Sequence, residues 1–280
     1  HPLNPMHDAN LVRVLGRQSQ SPIGMVGLAT VAQGADAIRG RLRSLAAEGV
    51  RAAIIDAVFD GDLETIGAVA LDHRLSVGAS GMGLGLARGL LSSGRVASAG
   101  QVMATEQPVG GAAACLAGSC SQATLAQIAK AEQVMPVLRL DPEMLVTGPE
   151  ETQRALGWAF ERLGQGPVLI ASSSTPDQVA ALQARHGRDA TGHAIEQAMA
   201  SLAHALVESG VRRLVVAGGE TSGAVVDRLG IPGFLVGPEI AAGVPVLRAV
   251  GTGPDGMLLA LKSGNFGGPG FFSDALALMR

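Results

Sequence analysis

The chain has no tyrosine, one tryptophan (Trp158) and six phenylalanines in 280 residues, so aromatics make up only 2%. So few rings offer no stacking platform for single-stranded nucleic acid. Positive charge is no more abundant: 21 Lys and Arg against 24 Asp and Glu give a net charge of −3, which removes the basic footprint expected of a DNA or RNA binder. There are two cysteines, Cys115 and Cys120. Their CxxxxC spacing fits no common zinc pattern, and two thiols make no disulfide framework. The reading is one buried small side chain in a strand and one thiol in the turn after it. Mean hydropathy is +0.31, yet no apolar run reaches the roughly 18 to 20 residues a spanning helix needs. The opening HPLNPMHDANL has no apolar signal-peptide core, so a cytoplasmic location is the default expectation. A start at His1 rather than Met reads as a processed chain or a fragment.

Hydrophobic residues make up 47% and charged residues 16%. That is enough, at this length, to bury one large core or two ordinary ones. Short apolar runs alternate with amphipathic stretches. Strands are expected at 22–31, 51–58 and 75–77, and helices at 36–47, closed by Gly49, and at 62–71. Residues 92–111 are rich in Gly, Ser and Ala and read as a linker. The alternation resumes with strands at 112–117, 136–140, 167–172 and 211–217 and helices at 122–133, 150–163, 176–186, 193–209 and 222–229. The end is more β-like, with strands at 245–250 and 257–262 and a closing helix at 271–279. Such alternation implies an α/β protein of two units with mainly parallel sheets.

Three strand ends carry the candidate chemistry. In VVAGGETSGAVV (215–226) an apolar strand runs into Gly218 and Gly219, which permit a tight turn, and a helix follows that Thr221 or Ser222 could cap. Free amides and the dipole at a helix start favour an anion, and ligands of open α/β sheets sit at the carboxyl ends of strands. Gly218 to Ser222 is therefore a candidate phosphate cradle, with Glu220 for a metal or a ribose hydroxyl. An ordinary βα turn would use the same glycines. LAGSCSQAT (116–124) repeats the pattern with Ser119 and Ser121, where plain capping by Ser121 is the alternative. In LALKSGNFGGPGFF (259–272), Lys262, Ser263, Gly264, Asn265 and Gly267 could meet phosphate charge with a cation and close backbone amides. A solvated lysine in a mobile loop is the competing reading. Phe271 and Phe272 read as core.

Other features carry less. GASGMGLGLARGLL (78–91) resembles a dinucleotide fingerprint but fails on register, since Leu86 and Arg88 stand where glycine or alanine is needed. His186 and His193 read as solvated residues flanking a loop, Asp56 as the structural end of a strand, and GPEIAAGVP (237–245) as a loop.

Taken together, HPLNPMHDANLVRVL (1–15), LAGSCSQAT, AGGETSGAVV, GPEIAAGVPVLRAV and LKSGNFGG resemble, in the same order, segments of the four-carbon acid sugar kinase family, nearest its branch acting on 3-oxotetronate. The likeness spans almost the whole chain. It implies an ATP-dependent kinase that phosphorylates the terminal hydroxyl of a four-carbon sugar acid, with 3-oxotetronate, threonate and erythronate as candidates. It also implies a sugar-acid-binding domain at 1–104 and a nucleotide-binding domain at 105–280. ATP contacts are implied at Ser121, at Gly218, Gly219, Glu220 and Thr221, and at Gly267. Ser119, Lys262, Ser263, Gly264 and Asn265 are further candidates, and Mg²⁺ is expected to bridge the phosphates without an assigned protein ligand set. Asp8 and Asn10 are the candidate substrate contacts, with Arg13 as a cation for the acid. Family members begin with an Asp-Asp-x-Thr-Gly-Ala motif that this chain lacks, so the general base is expected to lie outside it and no catalytic residue is assigned. A truncated nucleotide-binding module without turnover is the second reading, and a sugar-phosphate isomerase or aldolase the third. No nucleic-acid or membrane partner is expected, and oligomeric state stays open, a homo-oligomer included.

Overall fold

The computed structural model describes residues 7–97, 109–251 and 256–279. The chain divides into two units, His1–Gly100 and Gln101–Arg280. The core of the 92–111 stretch read as a linker lies outside the described residues.

The first unit runs α1 (Leu11–Gly16), β1 (Ile23–Val26), α2 (Leu28–Val31), α3 (Ala35–Ala47), β2 (Ala52–Ile55), α4 (Asp60–Ala70) and α5 (Ser80–Ser92). β1 and β2 pair in parallel, and Val26, Val31, Ile38, Leu45, Ile66 and Val69 form the core beneath them. Two expectations fail here. The strand expected at 22–31 stops at Val26 and gives way to α2, because Gly27 turns the chain and opens a short helix. The expected strand at 75–77 is irregular, and Leu75 and Val77 are 81% and 89% exposed. Among the described residues no strand pairs with it, and a three-residue apolar run has no ladder to join.

The glycine-rich stretch at 78–91 has a packing explanation. It forms most of α5, and Gly81, Gly85 and Gly89 fall four apart, on one face of the helix. A Cβ on Gly85 would overlap the carbonyl of Leu63, and one on Gly67 would overlap that of Gly85. α4 and α5 therefore approach backbone to backbone, which only glycine allows at these positions.

The second unit runs β3 (Ala112–Ala117), α6 (Gln122–Ala131), β4 (Val137–Arg139), α7 (Pro142–Thr147), α8 (Glu150–Phe160), β5 (Val168–Ala171), α9 (Pro176–His186), α10 (Arg188–Glu208), β6 (Val211–Ala217), α11 (Gly219–Leu229), β7 (Gly233–Ala241), β8 (Val244–Val250), β9 (Leu258–Lys262) and α12 (Phe271–Leu278). Seven strands form one sheet in the order β4-β5-β3-β6-β9-β8-β7. The first five are parallel, and β8 and β7 close the edge as an antiparallel hairpin. β7 replaces the loop expected at 237–245; proline and glycine inside the segment hid it, and its pairing with β8 shifts register at those residues. His193 lies inside α10 rather than at a loop, since Gly187 alone separates α9 from α10.

The parallel strands are buried on both faces, as such sheets require. Ala113, Cys115 and Ala117 of β3 pack with Ile128 of α6 and with Phe271, Phe272 and Ala275 of α12. Ala114 and Leu116 pack on the other face with Ala155 and Ala159 of α8, Leu202 and Leu206 of α10, and Val225 and Leu229 of α11. β3 thus sends its helix to one face while its neighbour β6 sends α11 to the other. That divergence puts the sheet's switch point at the carboxyl ends of β3 and β6, the ligand position of open α/β sheets. Among the described residues, no helix is long and apolar enough to cross a membrane.

The α4–α5 contact makes a test. Gly85→Val forces the two backbones apart, and the expected cost in urea unfolding followed by far-UV circular dichroism is about 1–3 kcal/mol. Unchanged stability would remove the close-packing account of these glycines.

Candidate functional site

Three turns meet at the carboxyl edge of the sheet. Ala117, Ala217 and Lys262 are register neighbours across β3, β6 and β9, so the loops that follow them start about one strand spacing apart, ~4.8 Å. Backbone hydrogen bonds tie them in sequence. The Gly118 N–H donates to Ala217 O at 2.9 Å, the Gly218 N–H to Lys262 O at 2.8 Å, and the Ser172 N–H, from the end of β5, to Ala117 O at 2.9 Å.

The β6 turn differs from the expectation in one respect. α11 starts at Gly219, two or three residues early, and its N-cap is Gly218, with no side-chain cap from Thr221 or Ser222. Gly218 has φ +138°, and a Cβ there would lie 2.9 Å from Thr221 Oγ1 and 3.2 Å from Ser119 N. This glycine makes the turn. Gly219 has ordinary helical geometry with nothing within 4 Å of where a Cβ would stand. Its lack of a side chain serves no contact inside the protein, and it opens space at the first turn of a helix, whose N–H groups have no intrahelical partner. Glu220 is exposed on that turn, whereas Thr221 is buried, its hydroxyl lying where a Cβ on Gly118 would be.

In the β3 turn, Ser121 caps α6, its hydroxyl accepting from the Thr124 N–H at 3.2 Å, and Ser119 Oγ accepts from the Ser121 N–H at 3.2 Å. Both serines are half-buried. Ser172 and Ser173 brace this turn from β5 through Ala117 O, and the Ser174 N–H donates to Cys120 Sγ at 3.4 Å. Burial pushes both cysteine thiols upward, Cys115 far above the usual range, so neither is ionised at neutral pH.

The third turn, 263–268, is held from α6. Gly264 O accepts from Ser121 Oγ at 2.8 Å, Thr124 Oγ1 at 2.9 Å and Lys262 Nζ at 3.0 Å. Ser263 O accepts from Lys262 Nζ at 3.0 Å. Gln127 Nε2 lies within 3.1 Å of the carbonyl oxygens of Phe266, Gly267 and Gly268. Three acceptors around one end of the amide fix which end is nitrogen. Gly267 has φ +81° and a Cβ there would overlap Phe271, so it must be glycine. Ser263 and Asn265 are exposed.

Lys262 departs from the solvated lysine that was the competing reading. It is 2% exposed, its ammonium sits 5.5 Å from the centroid of the Phe271 ring, and burial lowers its pKa to about 8. It braces the loop instead of reaching into solvent. Phe271 and Phe272, each 1% exposed, belong to the core as expected. Thr124 and Gln127 escaped the sequence reading. Their signal was available: they fall at i and i+3 with Ile128 and Ala131 on the buried face of α6, where a polar residue needs a buried partner.

In the first unit, Asp8 is held by Arg13 through two hydrogen bonds, 3.0 Å and 2.7 Å, and by Arg17 at 3.2 Å. The Arg13 bonds, then the Asn10 N–H at 2.9 Å, lower its pKa to about 2. Asn10 caps α1, accepting from the Arg13 N–H. Asp8, Asn10 and Arg13 thus form one local network, and Arg13's guanidinium is already committed. Asp56 follows β2 and bonds Val26 O through its N–H. Among the described residues, no three His, Cys, Asp or Glu side chains group as a metal site.

Known proteins place this arrangement. Residues 114–272 match a family described as a nucleotide-binding C-terminal domain, and residues 1–86 one described as a sugar-binding N-terminal domain. The chain belongs to the four-carbon acid sugar kinase family. Relatives in this family include a Methylobacterium radiotolerans protein named 3-oxo-tetronate kinase, 65% identical over the whole chain, and a Cupriavidus necator protein of the same name, 46% identical over 99% of it. The chain spans 66% and 63% of their lengths, about two thirds. Solved structures with the same architecture include a Haemophilus influenzae protein, 36% identical with a TM-score of 0.69 over 100% of this chain and 66% of its own. Another is a Salmonella typhimurium protein, 37% identical with a TM-score of 0.78 over 98% of this chain and 64% of its own. The match over 114–272 begins in β3 and ends in α12, so the family's nucleotide-binding domain contains all three turns.

Two outcomes follow for this family member. Gly218→Ala meets both a positive φ and a crowded Cβ, and is expected to lose about 1–3 kcal/mol in urea unfolding. The second concerns Lys262, whose folded pKa of about 8 lies below its unfolded value of about 10.4. The unfolded chain then binds more protons between those values, so Lys262's contribution makes stability rise with pH across about 8 to 10.4. The buried cysteines act in the opposite direction, so the difference between wild type and Lys262→Met isolates the lysine. That difference in urea unfolding free energy should grow by a few kcal/mol over the window, at ~1.4 kcal/mol per pH unit; a flat difference would contradict it.

Proposed function

We propose that the protein binds ATP at the three converging turns of its second unit and serves a kinase that phosphorylates the terminal hydroxyl of a four-carbon sugar acid, 3-oxotetronate being the substrate class its named relatives suggest. The observation that carries this is Gly219: a residue with no side chain, no steric need to lack one, and a place at the first turn of α11 at the sheet's switch point. Amides of the α11 start and of the 263–268 loop would bind phosphate oxygens, and Ser121 would join them by exchanging its bond to Gly264 O for one to phosphate. Phosphoryl transfer asks mainly for such positioning and charge neutralisation.

Mg²⁺ fits this arrangement as an ion carried by the nucleotide, since Mg²⁺ keeps several waters and takes one or two carboxylates plus phosphate oxygens. Glu220 and Asn265, both exposed at these turns, would hold it directly or through water. The ion would neutralise charge developing on the transferring phosphate. Lys262 would contribute its charge through the loop it braces. Asp8 and Asn10 remain the proposed contacts to the sugar acid, with Asp8 presenting a carboxylate already oriented by Arg13, and no base is assigned.

Isothermal titration with ATP, run beside a coupled kinase assay on 3-oxotetronate, threonate and erythronate, tests the proposal. Gly219→Val is expected to weaken ATP binding at least tenfold without lowering the melting temperature, because the new side chain fills the space left for phosphate and valine suits a helix better than glycine. Equal ATP affinity in the folded variant would reject the site. Ser121→Ala should cost less, ~0.5–1.5 kcal/mol in binding. Binding without turnover on any of the three acids would favour the module that binds but does not catalyse.

A further inference from the structure

The loop 263–268 has its carbonyl groups gathered on one side. Five of them, at 263, 264, 266, 267 and 268, accept hydrogen bonds from Ser121, Thr124, Gln127 and Lys262. The described chain has no cis peptide bond. In a trans peptide the C=O of one residue and the N–H of the next point in opposite directions. Pulling those oxygens toward α6 therefore turns the N–H groups of Gly264, Asn265, Gly267 and Gly268 away from it. The fifth peptide leads into Pro269, which has no N–H to turn. None of these four N–H groups donates to a backbone acceptor among the described residues, whereas Phe266, whose preceding carbonyl is not captured, spends its N–H inside the turn on Ser263 O at 3.3 Å.

We propose that Gln127 and Lys262 are positioning residues for a polyphosphate: they touch no ligand, and by holding the carbonyls of 263–268 they fix four backbone N–H groups as one row of donors. This rests on the nucleotide reading above and goes beyond it by assigning the loop's shape to two buried side chains outside the glycine turns. Gln127 is 1% exposed and Lys262 2%, so neither is available at the surface, and both direct their donors to this one loop, Gln127 to three of its carbonyls and Lys262 to two. A fixed row of amides binds an anion without the ordering cost that a mobile glycine-rich loop carries.

The test compares Gln127→Met and Lys262→Met with wild type by isothermal titration using ATP, inorganic triphosphate and adenosine. Methionine keeps the buried volume and removes the donors. Affinity for ATP and triphosphate should fall about tenfold or more while adenosine affinity stays within twofold, and hydrogen exchange at residues 264–268 should quicken. If a variant proves too unstable, Gln127→Glu, nearly isosteric but presenting acceptors to acceptors, is read the same way. Equal ATP affinity in folded variants overturns the inference while leaving the nucleotide site standing. A uniform loss across all three ligands also overturns it, since that marks a general structural role. Wild type that binds neither ATP nor triphosphate removes the nucleotide reading and this inference together.

Discussion

A cation and an amide held under a glycine-rich loop organise the carboxyl edge of the second unit's sheet. Lys262 ends β9, the neighbour of the middle strand β6, and bonds the carbonyls immediately after it, and Gln127 does the same for the second half of the loop. Glycine makes such a loop possible but gives it no preferred shape. The shape comes from donors on α6, and α6 is held in turn by Ser121 at its N-cap and by Ile128 and Ala131 packed against the sheet. Burying a lysine is costly unless its ammonium is bonded, and the lowered pKa records that cost. Carbonyl oxygens and the face of Phe271 replace the water it has lost.

The rest of the second unit places that edge. Five parallel strands bring three turns to one end, where α6 and α11 depart to opposite faces of the sheet. β8 and β7 finish the sheet beyond β9. Small residues matter at the contacts between turns: Gly118, Gly218 and Gly264 meet Thr221 and Ser119 where any side chain would collide. In the first unit glycine has a different task, bringing α4 and α5 into backbone contact. One residue type thus serves close packing, a left-handed turn and, at Gly219, open space at the first turn of α11.

Much of this was legible along the chain. Strand ends followed by glycine and hydroxyl residues stood out at 117–121, 217–222 and 262–267 because turn chemistry is local. The helix at 36–47 and the strands at 112–117 and 211–217 followed from period and length. Errors gathered where local signals are short or ambiguous. An apolar run at 75–77 had no partner to pair with, and 233–241 hid a strand behind proline and glycine. The start of α11 was misplaced because glycine, a poor helix former, occupies both its cap and its first position. The dinucleotide-like glycines of 78–91 were rejected on register; their true role in helix contact needs two segments, α4 and α5, to be seen together.

By itself the sequence determined the alternation of elements, the family and the turns where chemistry could lie, since each depends on neighbours within a few residues. Only the tertiary structure decided that Gly218 and not Gly219 makes the turn, that Lys262 is buried, and that Gln127 reaches a loop about 140 residues away. Those facts depend on contacts between segments distant in the chain, and no local pattern of residues encodes the distance between them.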